Sequence, residues 1–369
     1  MKVKFLDLAH AHRPLRELMK GKFEELLNNN LYILGEHVER FEEAYAAYCN
    51  VKYCTGVANG LDALTICLKL LNIKQGDEVI VPSNTYIATW LAVSVVGATP
   101  VPAESCLNTY NIDPQLIEES ITPRTKGIIP VHLFGQPCEM DAIISVAQKY
   151  NIAIVEDNAQ AHGAKYKNKP TGSFGVVNAT SFYPTKNLGA LGDAGAITTD
   201  SEELSKRSLA LRNYGSREKN YNEERGMNSR LDEIQAAFLE IKLAHLDQWN
   251  MERNSIAEKY AAQLKGVGDL VLPEIIPEAT SVFHQYVIRT GKRNELQKFL
   301  SVNEIETSIH YPVPPHLQRA YAELNYKKGD LPVAEEIAKT CLSLPIYPGL
   351  TDEQIDHVVE KIRRFYHAV

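Results

Sequence analysis

Between residues 55 and 200 the sequence changes its hydrophobic period repeatedly. In "LDALTICLKLL", Leu61, Leu64, Leu68 and Leu71 recur at helical spacing. "DEVIVP" follows as a short, continuous apolar run, with the turn supplied around Asp77. "TKGIIPVHLFG" is a β-branched run ended by Gly135. "EMDAIISVAQKYN" returns to helical spacing through Met140, Ile143, Ile144 and Ala147, and "IAIVED" is again strand-like. Continuous apolar strands alternating with amphipathic helices predict βαβ units and a mostly parallel sheet covered on both faces. A chain of 369 residues is long enough for such an α/β domain and a smaller one.

The pattern changes after about residue 245. "VFHQYVIR", "IETSIHYP" and "LSLPIYP" read as strands separated by helices. The last helix starts near "TDEQIDHVVEKIRRF", with Thr351 as its cap and a charged first turn. One long amphipathic helix is expected over "SRLDEIQAAFLEIKLAHLDQWNMERNSIAEKYAAQL", leading into this second, α+β unit. The expected division is a large domain over 1–245 and a small C-terminal domain over 246–369.

A formal charge of −7 argues against nucleic acid as a partner, because such binding needs basic stripes. No apolar run approaches a membrane span, and "MKVKFLDLAHAHRP" lacks an apolar signal core. The six cysteines are scattered. Cys49 and Cys54 have no second ligand pair, so no metal site is expected. Buried thiols in a reducing cytoplasm are the expected state.

In open parallel sheets, ligands sit beyond the carboxyl ends of the strands. Asp157 closes "IAIVED", His132 lies in "PVHLFGQP", and Ser181 and Lys186 follow the strand-like "VVNATSFYP". Asn59 and Gly60 open the helix after "YCTGVANG". Lys186 sits between Phe182 and Tyr183 on one side and Gly189, Gly192 and Gly195 on the other, which suits a crowded loop approaching a ligand. A lysine, a strand-end carboxylate and a glycine-opened helix suggest pyridoxal 5′-phosphate. The amine forms a Schiff base and later carries a proton. The carboxylate keeps the pyridine nitrogen protonated, and the helix N-terminus binds phosphate. On residues alone each has a plainer reading. Asp157 and Asn228 are also suited to capping helices, Tyr86 and Phe182 to core packing, and His132 and His162 to structural hydrogen bonds. His162 follows "AQ" closely enough to lie near the ring.

The motifs "YILGEHVERFEEAYAAYC", "VANGLDAL", "VPSNTYIAT", "TYNIDP", "PVHLFGQPCEMD", "IVEDNAQAHGA", "SFYPTKNLGALGDAGAITT", "LRNYGSREK", "MNSRLDEIQAA", "FHQYVIR" and "IHYPVPPHLQ" extend over nearly the whole chain. Through them the sequence resembles the sugar aminotransferases of the DegT/DnrJ/EryC1/StrS family, in the aspartate aminotransferase superfamily. The resemblance implies the pyridoxal phosphate-dependent transferase fold, with a mostly parallel sheet in a large domain and a smaller C-terminal α+β domain. It implies Lys186 as the cofactor lysine, Asp157 at the pyridine nitrogen, Gln160 at the ring hydroxyl and Tyr86 stacked on the ring. Gly60 and Leu61 would give backbone N–H groups to the phosphate, joined by Ser181 and, from the other subunit of a homodimer, Asn228. "NGLDAL" departs from the serine/threonine form of this loop found in many members, leaving the side-chain share of phosphate binding in doubt.

Some members replace the lysine by histidine and act as dehydratases; this chain keeps Lys186. The resemblance implies an enzyme moving an amino group from L-glutamate to a dTDP-linked 3-keto-6-deoxyhexose. A 4-keto nucleotide sugar and a dehydratase reaction are the alternatives, and a scaffold that keeps the fold without catalysis is the rival from another class. Tyr183, His310 and Tyr311 are expected on the sugar-facing wall. Arg212, Arg217 and Lys219, with Tyr214 and Tyr221, are expected to hold the diphosphate.

Overall fold

The computed structural model describes residues 1–218 and 220–367. Seven strands form its main sheet: β1 (Tyr53–Val57), β2 (Glu78–Pro82), β3 (Thr99–Ala103), β4 (Thr125–Ile128), β5 (Ala153–Asp157), β6 (Val177–Ser181) and β7 (Gly195–Thr199). Their spatial order is β1-β7-β6-β5-β4-β2-β3. Strand β7 pairs antiparallel with both its neighbours, and the remaining pairings are parallel. The sheet is therefore mostly parallel, as the alternating pattern predicts.

Two-residue periodicity sorts the strand residues onto opposite faces. Val79, Val81, Val155, Val177 and Ile197 pack into one core with Ile66 and Leu68, while Ile80, Ile128 and Ile154 pack into another with Met140, Ile143 and Ala147. The covering helices include α1 (Glu36–Tyr48), α2 (Gly60–Leu70), α3 (Ala88–Val95) and α4 (Met140–Tyr150). Helix α2 differs from the one-faced expectation. Residues Ala63–Leu68 and Leu70 are all buried, because the helix is covered by the sheet on one side and by α3 and neighbouring segments on others. A third apolar cluster joins Phe41 and Tyr45 of α1 to Phe182, Leu188 and Ala190, directly under the loop that carries Lys186.

The expected single long helix is two, α5 (Glu233–Leu243) and α6 (Leu246–Leu264), broken at Ala244 and His245. Helix α5 buries Ala236 and Leu239 against the Phe41–Phe182 cluster. Helix α6 buries Ile256, Tyr260 and Leu264 in a separate core with Tyr286, Ile288, Leu342, Leu344, Ile355 and Val359. The break lets the chain serve both cores. In the second core, Tyr286–Arg289 pairs antiparallel with Cys341–Leu344. "IETSIHYP" is not the expected third strand: Ile305 and Ser308 make isolated bridges, to Val3 and Ser343. Val3 thus returns the N-terminal segment to the second core. The last helix, α7 (Asp352–His367), is capped by Thr351 Oγ1, which accepts from Gln354 N at 3.3 Å.

Glu156, next to the site-forming Asp157, is fully buried and ties the sheet to the 172–175 turn. Its carboxylate accepts from His132 Nε2 at 2.7 Å, from Gly172 N at 2.9 Å, from Gly175 N at 3.0 Å and from Phe174 N. Cys138 N donates to His132 Nδ1 at 3.0 Å, which fixes the imidazole with its hydrogen on Nε2. His132 is therefore a structural histidine. Burial alone would raise the Glu156 pKa, but the bonds from His132 and the turn amides hold it below its usual value. Glu156→Ala strands these donors, and one unsatisfied buried donor costs about 1–3 kcal/mol. The variant should lose at least about 3 kcal/mol in urea unfolding, by that same scale.

Candidate active site

A cavity of about 540 Å³ opens beyond the carboxyl ends of the parallel strands. It is lined by Asp157 at the end of β5, Ser181 at the end of β6, Lys186 on the following loop, and Asn59, Gly60 and Leu61 where α2 begins. Tyr86, Gln160, Tyr183, His310 and Tyr311 complete the predicted part of the wall. Residues from both cores thus meet at one opening.

The start of α2 is built to receive an anion. Asn59 Oδ1 accepts from Asp62 N at 2.9 Å, and Asn59 O accepts from Ala63 N at 3.0 Å. The N–H groups of Gly60 and Leu61 belong to the unpaired first turn, where the helix dipole is positive. Gly60 is required by packing: a Cβ there would lie 2.5 Å from Ser181 Cβ. This contact brings the helix start and the Ser181 hydroxyl to one corner of the cavity.

Asp157 is 5 % exposed. Its Oδ1 accepts from Ala159 N at 3.1 Å and its Oδ2 from Thr89 Oγ1 at 2.9 Å. Burial raises its pKa, opposed by these two donors and by the charge of Lys186. Burial pushes Lys186 down to about 8, with Asp157 the charge that opposes the shift. A fraction of this amine is thus unprotonated near neutral pH and able to attack a carbonyl. Gln160 Oε1 accepts from Phe134 N at 2.7 Å, and its Nε2 donates to Tyr311 OH at 3.1 Å. Tyr86 and Tyr311 lie with ring centroids 5.4 Å apart, and Tyr86 is 55 % exposed, so it is not the core aromatic its plainer reading allowed. His310 Nδ1 lies 2.8 Å from Ser343 Oγ. Burial, and then Lys186, lower His310 to about 4.

The donor set fits pyridoxal 5′-phosphate. A primary amine, a buried carboxylate and unpaired helix-start amides share one cavity, flanked by an aromatic face at Tyr86. Six further polar lining residues, Thr85, Thr89, Thr185, Asp193, His284 and Gln285, escaped the sequence reading. Thr89 was legible in principle, lying three residues after Tyr86 at the start of α3.

Other predicted residues lie elsewhere. Arg212 is buried: its guanidinium pairs with Glu42 and donates to Gly56 O at 2.8 Å, so its charge is spent inside the fold rather than on a ligand. Arg217 lies on an exposed hairpin and pairs with Glu223 at 3.1 Å. Tyr221 and Tyr214 are exposed outside the cavity lining, as is Asn228, which bridges to Asn213. Lys219 lies outside the described residues. His162 is fully buried. Its Nε2 donates to Ser181 O at 2.9 Å, and burial, with Lys186, lowers it to about 3. It is a neutral structural group and not a base in the cavity.

The family model of the DegT/DnrJ/EryC1/StrS aminotransferases matches residues 15–363. The dTDP-3-amino-3,6-dideoxy-alpha-D-galactopyranose transaminase of Aneurinibacillus thermoaerophilus is 49% identical over 363 residues, covering 98% of this chain and 99% of that one. The crystal structure of DesV of S. venezuelae in complex with a ketimine intermediate superposes with a TM-score of 0.98 at 47% identity, over 100% of this chain and 99% of that one. NtdA of Bacillus subtilis, solved with bound cofactor PMP, gives a TM-score of 0.93 at 32% identity, over 99% of this chain and 85% of that one.

The two opposed charges predict a pH profile. In cofactor-free enzyme, attachment of pyridoxal phosphate should accelerate as pH rises through about 8, where Lys186 loses its proton. Asp157 stabilises the protonated amine, so Asp157→Asn should move this midpoint to lower pH. Stopped-flow absorbance at a series of pH values measures both. An unmoved midpoint means that Asp157 does not face Lys186. Asp157→Asn should also lower turnover far more than cofactor occupancy.

Proposed function

The chain belongs to the DegT/DnrJ/EryC1/StrS aminotransferase family and is a pyridoxal phosphate-dependent enzyme, and from that premise we propose that it transfers the amino group of L-glutamate to a dTDP-linked 3-keto-6-deoxyhexose. The product is a dTDP-3-amino-3,6-dideoxyhexose. The observation that carries the reading is Lys186 in the cavity with Asp157 at the strand end. The 49% identity to a transaminase named for a dTDP-3-amino-3,6-dideoxyhexose supports the sugar class.

The cofactor supplies an aldehyde that receives the amine and a ring that accepts electrons from the substrate carbon. Lys186 is the residue to hold its aldehyde carbon and, once released, to move a proton at its Nζ. Asp157 holds the proton on the ring nitrogen, and Thr89 and the Ala159 amide hold Asp157. Gln160 is fixed by Phe134 and Tyr311 to donate to the ring oxygen, and Tyr86 to cover the ring face. Gly60, Leu61 and Ser181 receive the phosphate. Tyr183, His310 and Tyr311 form the sugar-facing wall.

Two copies make a complete site in this reading. Asn228, Arg217 and Tyr221 sit on exposed surface outside their own cavity, so their roles toward phosphate and diphosphate require them to reach the site of a partner subunit. We place the division between the two parts at 1–245 and 246–369. No described helix is long and apolar enough to cross a membrane. The cytoplasm is the proposed location, where the cysteines stay as free thiols.

With ¹⁵N-labelled L-glutamate and a dTDP-3-keto-6-deoxyhexose, NMR should place ¹⁵N on C3. Amination only of a 4-keto sugar, or loss of water without nitrogen transfer, overturns the proposed substrate. Mixing inactive Lys186→Ala with weakened Asn228→Ala protein should restore activity, because a mixed dimer contains one intact site. A fully active monomer removes the shared-site proposal.

A further inference from the structure

Asn187 follows Lys186 but, unlike it, does not line the cavity, and it is 5 % exposed. Its Nδ2 donates to Val282 O at 3.0 Å and to Asn250 Oδ1 at 2.9 Å. Val282 O can only accept, which fixes the orientation of the amide. Both amide hydrogens are then used, so Asn187 Oδ1 is the acceptor for His284 Nδ1 at 3.2 Å. Asn250, on α6, passes the chain on: its Nδ2 donates to His162 O at 2.8 Å. His162 Nε2 in turn donates to Ser181 O at 2.9 Å. A buried circuit therefore runs from the residue beside the lysine, through the helix of the second core, back to the strand end that opens the same loop.

The circuit admits little slack. His162 and Asn250 are 0 % and 7 % exposed, so a broken link leaves a polar group buried without a partner. Gly163 has φ +88°, and a Cβ there would meet Tyr48 Oη at 2.3 Å and Asn250 Nδ2 at 2.9 Å. The backbone is thus shaped to let Asn250 approach. Because Asn187 and Lys186 are adjacent, anchoring one side chain inward sets the direction in which the other leaves the backbone.

We propose that Asn187 is a positioning residue, which, through Asn250, His162 and His284, aims Lys186 into the cavity from the second core. The circuit meets the proposed phosphate site only at the Ser181 backbone carbonyl and leaves the Gly60 and Leu61 amides and the Ser181 hydroxyl untouched, so it governs the reach of the amine more than retention of the cofactor. The inference rests on Lys186 as the cofactor lysine, and not on the identity of the sugar.

The test uses the full-length wild type with Asn187→Ala, Asn250→Ala and Asn250→Asp. Three quantities are measured: thermal unfolding of the cofactor-free protein, the rate of pyridoxal phosphate attachment to Lys186 without substrate, and kcat and KM for the glutamate half-reaction. An aspartate at 250 keeps an acceptor for Asn187 but sets a carboxylate oxygen against the His162 carbonyl, so it breaks the His162 link. Misplacing a reacting group by about 1 Å costs roughly a hundredfold in rate. Asn187→Ala should slow attachment and kcat by about tenfold to a hundredfold, with KM for glutamate unchanged. Asn250→Ala and Asn250→Asp should both follow it. Attachment and kcat at wild-type rates in Asn187→Ala, or losses that track occupancy or unfolding temperature alone, overturn the proposal. If Asn187→Ala does not fold, the two Asn250 variants decide by the same readouts. Absence of attachment in the wild type would instead refute the role of Lys186, which separates the two failures.

Discussion

A buried amine opposed by a buried carboxylate is the interaction on which this structure depends. Neither charge is stable alone away from water, and each is held by what surrounds it. Asp157 is fastened by the Ala159 amide and Thr89, so the carboxylate stays at the end of β5. Lys186 is brought within its field by the turn after β6. The mostly parallel sheet supplies the two strand ends, and the apolar cluster of Phe182, Leu188 and Ala190 supplies the floor under the lysine loop.

A second buried lysine makes the distinction clear. Lys242 on α5 is also pushed down by burial, to about 8. Its amine donates to Gly189 O at 2.6 Å, and it does not line the cavity. Burial alone thus makes a lowered pKa but not a reactive site. Lys186 differs in facing open volume, with a carboxylate and an anion-receiving helix start at the same opening.

Much of this was legible in the sequence because it depends on local order along the chain. The change of hydrophobic period predicts the strands, and Asp157, Ser181 and Gly60 fall at strand ends and helix starts that the period itself marks. The start of the cavity follows from that placement. What the sequence hid is long-range. Nothing local distinguishes Arg212, which neutralises Glu42, from Arg217, five residues later on an exposed hairpin. The break between α5 and α6 has no proline or glycine to announce it and follows from two cores pulling on one amphipathic stretch. "IETSIHYP" has strand composition but meets only single-residue partners, so its backbone pairs at points and not along a ladder. Asp193 and His284 reach the cavity from separate segments, which no spacing rule connects.

The whole site depends on which lysine takes the cofactor, and mapping that bond tests it most directly. The enzyme loaded with pyridoxal phosphate is reduced with borohydride, digested and examined by peptide mass spectrometry. The added pyridoxyl mass should fall on Lys186, in the peptide containing "SFYPTKNLG". The mass on Lys242 or another lysine, with Lys186 unmodified, would contradict the account.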